Sequence, residues 1–167
     1  MRYFLLLFLL CSSCINTHTD RIFKKMDPLF FPYLEQFWHD STRFGNTQLG
    51  RAVPINFYSI TSQSDLGVAE CIRYDYPDIS SRYDYEILID ETAWNRFSEI
   101  DKKSLIYHQL GHCLLERPDD NTMVVFEGEE IPASIMHNSI EFILDGSERD
   151  DMYLLELFTW NQSHWTE

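Results

Sequence analysis

The residues that most invite chemistry are His108 and His112, four positions apart in the stretch Tyr107-His108-Gln109-Leu110-Gly111-His112-Cys113-Leu114-Leu115. On a helix that spacing puts two imidazoles one turn apart on the same side, where both can meet a single ion. Zinc is often held this way, by neutral ring nitrogens. The flanks favour a helix over residues 99–116. Ser98 with Asp101 three residues on is a variant of the capping box, and Pro118 bars continuation. Leu105, Ile106, Leu110, Cys113 and Leu114 gather into one apolar stripe, and the two histidines lie far from its centre. A histidine packed in a core belongs inside such a stripe. The pattern therefore predicts a ligand face turned away from the packed side; two exposed histidines that share no ion are the plainer alternative.

Other elements must hold that helix in place. Asp27-Pro28 caps a helix start, and Leu29, Phe30, Tyr33, Leu34, Phe37 and Trp38 recur at helical steps, predicting a helix over 27–41 whose regular part begins nearer Pro32. Strands are predicted over 53–60, 68–76 and 82–90, with the turn-like Pro77-Asp78-Ile79-Ser80-Ser81 between the last two. A short helix or turn at 91–97 carries Trp94, and Tyr153, Leu154, Leu157 and Phe158 mark a closing helix. The expected class is α+β, a small twisted mixed sheet packed on the histidine-bearing helix and an N-terminal helix. The cleft should run between the last strand and the histidine face. Asp145-Gly146-Ser147-Glu148-Arg149-Asp150-Asp151 lacks the donor pattern of a calcium loop and reads as a solvated turn.

The chain has 167 residues, 44% of them apolar, enough for one domain with a proper core. Against 13 basic side chains stand 27 acidic ones, a net charge of −14, so phosphates are repelled and nucleic acid is excluded as a main partner. Arg2 followed by the apolar run Tyr3–Leu10 has the form of an export signal, being too short to span a bilayer. Cys11-Ser12-Ser13-Cys14 resembles the cleavage box of bacterial lipoproteins, with Cys14 as the lipid-bearing residue; an ordinary cleaved signal is the alternative. The expected organisation is a lipoprotein-type signal segment at 1–14, a tether at 15–26 and a domain at 27–167. That places the protein outside the cytoplasm, anchored on the periplasmic or cell-surface side. In such an oxidising setting Cys71 and Cys113 are candidates for one disulfide, two buried thiols being the other possibility.

Tyr107-His108-Gln109-Leu110-Gly111-His112-Cys113-Leu114 resembles the active-site helix of zincin metallopeptidases, whose pattern is His-Glu-x-x-His. It is most like that of lipoprotein-type metallopeptidases of the metzincin kind. The likeness extends from about residue 27 to the C-terminus. Ile87-Leu88-Ile89-Asp90 with Trp94 resembles the segment preceding that helix, Ser134-Ile135-Met136 resembles the methionine turn beneath the metal, and Cys71 and Cys113 match cysteines of such lipoproteins. The resemblance implies a zincin-like fold, a zinc cofactor held by His108 and His112, and an extended peptide or protein as partner, bound along an edge strand. Two departures stand out. Gln109 occupies the place of the catalytic glutamate, the carboxylate that takes a proton from the attacking water, so hydrolysis is expected to be impaired. A non-catalytic, peptide-binding pseudoenzyme is the alternative. The metzincin glycine and third ligand, seven and ten residues after the first histidine, are replaced by Leu115 and Pro118. Asp119 is then the first candidate for third ligand, with Asp120 and Glu141 as rivals. Glu116, Glu127, Glu129 and Glu130 are near enough in sequence to be asked about as substitute bases, and His137 as a site neighbour.

Overall fold

A computed structural model describes residues 26–46, 53–58, 68–75, 83–138 and 143–160. The leader, Cys14 and Glu141 lie outside these residues. Met26, placed at the end of the tether by sequence, is 5% exposed and already belongs to the core. Asp27 then caps a single 3-10 turn, Pro28–Phe30, by accepting the Leu29 N–H at 2.9 Å. Its own N–H donates to the Ile55 carbonyl at 3.1 Å. Helix α1, Phe31–Arg43, follows with Pro32 in its first turn, where no backbone donor is lost.

Three strands make the main sheet: β1 (Ile55–Tyr58), β2 (Ala69–Asp75) and β3 (Tyr83–Asp90). Their order is β1-β3-β2, with β1 parallel and β2 antiparallel to β3. The third strand is therefore central. This corrects the expected cleft wall, because the strand that mainly lines the cleft beside the histidines is β2, an outer strand of the described sheet. One face of the sheet carries Ile55, Ile87 and Ile89, all fully buried. Asp90 caps the short helix α2, Glu91–Trp94. Trp94 packs edge-on against Phe30 at 5.1 Å and Tyr33 at 5.4 Å, joining sheet and N-terminal helix.

Helix α3, Glu99–Leu115, opens on the full capping box of Ser98 and Asp101. It runs through the middle of the domain, tied to β2 by a Cys71–Cys113 disulfide with Cα atoms 5.7 Å apart. A hairpin that the sequence reading passed over comes next, β4 (Met123–Phe126) with β5 (Glu129–Pro132). Its two-residue loop, Glu127-Gly128, has φ of 52° and 88°, the left-handed pair that suits a tight hairpin. Helix α4, Arg149–Thr159, closes the core with Tyr153, Leu154, Leu157 and Phe158. Among the described residues no helix is long and apolar enough to cross a membrane.

One buried charge holds α1 to α3. Asp40, 3% exposed, accepts from the Tyr107 hydroxyl at 2.7 Å and the Gln36 amide at 2.9 Å, with Lys103 Nζ at 3.6 Å. Burial alone would raise its carboxyl pKa, but these donors outweigh it and hold the group below the usual carboxylate range. A depressed folded-state pKa contributes stability that is complete above the unfolded value, about 3.9, and lost as pH falls through the folded one. Asp40→Asn should therefore lower stability at neutral pH and flatten its fall in acid below about pH 4. Urea melts of both chains across that range would check this, and parallel pH profiles would refute it.

Candidate metal centre

His108 and His112 project from α3 toward the cleft, yet this side of the helix is covered too. His108 is 5% exposed, and every residue from Ser104 to Gly111 is buried. The expectation of a ligand face turned away from the packing is thus corrected. Two segments arriving from later in the chain, 117–120 and 133–137, close over the histidines and make a second packed side. The helix reads as one-sided in sequence because its own periodicity does not record the later segments that cover it.

The covering segments orient both rings. His108 Nδ1 lies 3.0 Å from the Ile135 carbonyl oxygen and His112 Nδ1 2.6 Å from that of Arg117. A carbonyl only accepts, so each Nδ1 donates its proton, and each Nε2 lone pair is left facing inward. The two Nε2 atoms are 3.0 Å apart, and Asp119 Oδ1 is 3.4 Å from one and 3.3 Å from the other. Three electron-pair donors so close together repel unless a cation lies among them. Tetrahedral zinc with bonds of about 2.0–2.1 Å requires ligand spacings of about 3.3 Å, and this triangle has them. The donor set therefore fits a metal ion. Burial pushes the His108 pKa down from its ordinary value, partly opposed by the Ile135 carbonyl, and so favours the neutral ring that binds metal.

The turn that delivers Asp119 explains its offset. Left-handed backbone falls at Glu116, φ 52°, with Leu115 still helical. Arg117 N–H then bonds back to the Gly111 carbonyl at 3.1 Å. The positive-φ residue and the carboxylate are both one position later than the metzincin spacing, and the three-residue step between them is kept. Asp120, the nearest rival, is turned elsewhere. Its Oδ1 accepts the Thr122 N–H at 3.0 Å, and its N–H donates to the Met136 carbonyl at 3.0 Å. Met136 is fully buried against Gly111, where an added Cβ would run into its sulfur, so a larger residue there would have to displace that side chain.

Gln109 is 6% exposed, and its Oε1 is buried with no hydrogen-bond partner among the described residues. It lines a cleft of about 830 Å³ together with His108, His112, Asp119 and, on the opposite wall, the β2 residues Ala69 and Cys71. Glu116 also borders the cleft, accepting from the Tyr85 hydroxyl at 3.3 Å. Glu127 and Glu129 belong to the exposed end of the β4–β5 hairpin, with Glu130 next along β5. His137 is half-buried in the methionine turn, its N–H on the Ser134 carbonyl at 3.1 Å. The two orienting carbonyls had no signal in the sequence, since any residue type supplies one.

A family model described as "Putative phage metallopeptidase" matches residues 11–143. The chain belongs to that family. Neither a curated protein nor a solved structure matches it. Membership in the phage metallopeptidase family and the His108–His112–Asp119 cluster agree on a metallopeptidase-like protein with a metal site.

Proposed function

We propose that this family member is a zincin-type, zinc-binding protein with His108, His112 and Asp119 as ligands and Gln109 in the place of the general base. The observation that carries this is the triangle of Nε2, Nε2 and Oδ1 atoms with edges of 3.0, 3.3 and 3.4 Å. Zinc, when bound, supplies Lewis-acid polarisation of a scissile carbonyl and acidifies water. The remaining chemistry belongs to side chains. Gln109 lines the cleft, and an amide cannot carry the proton to a leaving amine. An extended peptide pairs along β2, an outer strand of the described sheet that borders the cleft, and is so held across the histidines. Hydrolysis is strongly impaired in this reading, and the protein serves chiefly to hold a peptide or protein segment. Export through the 1–13 leader, with a lipid on Cys14, completes the proposal.

Equilibrium dialysis against zinc, followed by metal analysis, tests it. About one equivalent should bind. Asp119→Ala should lose more than the 10–100-fold in affinity typical of a change outside the ligand set. Less than about a tenth of an equivalent on the natural chain would overturn the site.

A further inference from the structure

Both imidazoles are held by main-chain carbonyls, and the two segments that carry them are joined by one buried polar cluster. Arg117, whose side chain is 1% exposed, pairs through Nη2 with Glu156 Oε1 and reaches Ser134 Oγ at 3.4 Å. Its Nη1 donates to the Glu156 carbonyl at 3.3 Å, and its guanidinium lies over the Trp160 ring at 5.0 Å. Ser134 Oγ donates to Glu156 Oε2 at 2.8 Å and accepts from the Met136 N–H at 3.0 Å. The hydroxyl thus spends its one proton on Glu156 and its lone pairs on Arg117 and the methionine turn. The Arg117 end of this ion pair is buried and the Glu156 end part-exposed, and one guanidinium nitrogen, Nε, is buried without a hydrogen-bond partner among the described residues. The geometry the pair sets is that of the neighbouring peptide oxygens. The Arg117 carbonyl takes His112 Nδ1–H, and Ile135, next to Ser134, takes His108 Nδ1–H.

We propose that Arg117, Ser134 and Glu156 form a positioning clamp that fixes both histidine rings, so that a glutamate on α4, far in sequence from the ligands, governs metal affinity. The proposal rests on the reading of His108, His112 and Asp119 as metal ligands. None of the three is among the proposed metal ligands, although Arg117 also borders the cleft. They act through the segments they tie together.

Cobalt(II) titration of the full chain, followed by visible absorption, tests the clamp with Ser134→Ala and Glu156→Gln. Each should weaken cobalt binding by about tenfold or more and alter the absorption band, at a temperature where circular dichroism shows the variant folded. Asp40→Asn is the comparison, because it loosens α3 from its far side through Tyr107 and touches neither orienting carbonyl. Equal loss of affinity in Asp40→Asn would reduce the clamp to general structural support and overturn the proposal. Natural affinity and spectrum in both clamp variants would overturn it as well. A natural chain that takes no cobalt would instead remove the metal-site reading on which the clamp depends. Imidazole ¹⁵N spectra of the metal-free natural chain serve even if Glu156→Gln does not fold. Nδ1 should be protonated on both rings, and an Nδ1 without its proton on either would overturn the clamp.

Discussion

Gln109→Glu is expected to raise zinc-dependent peptide hydrolysis by about 10²–10⁴-fold over the natural chain, the usual worth of a positioned general base. The substitution replaces an amide NH₂ by an oxygen of similar size, so the buried position can accept it with little repacking. Gln109 lines the cleft, and its buried Oε1 has no partner among the described residues. Desolvation should raise the new carboxyl pKa toward neutrality, where a base both accepts and returns a proton well. Zinc affinity should change little, because the residue is outside the donor triangle. Hydrolysis of quenched fluorescent peptides with zinc and with a chelator measures the effect. A variant that binds zinc yet stays silent would show that the missing carboxylate is not what limits the chain. Brisk chelator-sensitive cleavage by the unmodified protein would remove the case for impairment altogether.

Removing the disulfide by Cys71→Ser with Cys113→Ser is expected to cost about 4 kcal/mol. That value follows from the entropy returned to the unfolded chain by a link spanning 42 residues. For a domain of this size it amounts to a loss of about 8–16 °C in melting temperature. Much of the link's effect should be local. It joins β2, an outer strand of the described sheet, to the helix residue directly after His112. Releasing it frees one cleft wall to move relative to the other, so peptide binding should weaken along with stability. Thermal melts with and without reductant, and of the double variant, provide the check. A shift under about 2 °C would mean that the unfolded chain is already compact across this stretch.

The central features of the site were legible because they depend on local spacing. A histidine four residues after another must share a helical side with it, and Ser98 with Asp101 announced the start of that helix. Asp119 could be reached by counting once Pro118 had been rejected. The turn at Glu116 could not, since no glycine marks it and a glutamate at φ 52° costs strain that only the tertiary setting repays. The burial of His108 was illegible for a related reason: its cover comes from 117–120 and 133–137, and nothing in the periodicity of α3 records what lies against it. Nothing in the sequence singles out Arg117 and Glu156, because a single sequence does not show that they pair. The β4–β5 hairpin was missed because Glu127-Gly128 is a weaker turn signal than Asn-Gly, and because Val124 and Val125 lack the alternation of a half-buried strand, Val125 being 77% exposed.

The acceptors that steer the two imidazoles are peptide oxygens, and no exchange of side chain at Ile135 or Arg117 can delete a peptide oxygen. Side-chain identity there therefore reaches the rings only through the path of the loop, which at Arg117 the clamp itself maintains. The same architecture makes insertions and deletions between residues 116 and 136 far more damaging than point changes, since a shift of one residue would withdraw an oxygen and rotate a ring at the same stroke.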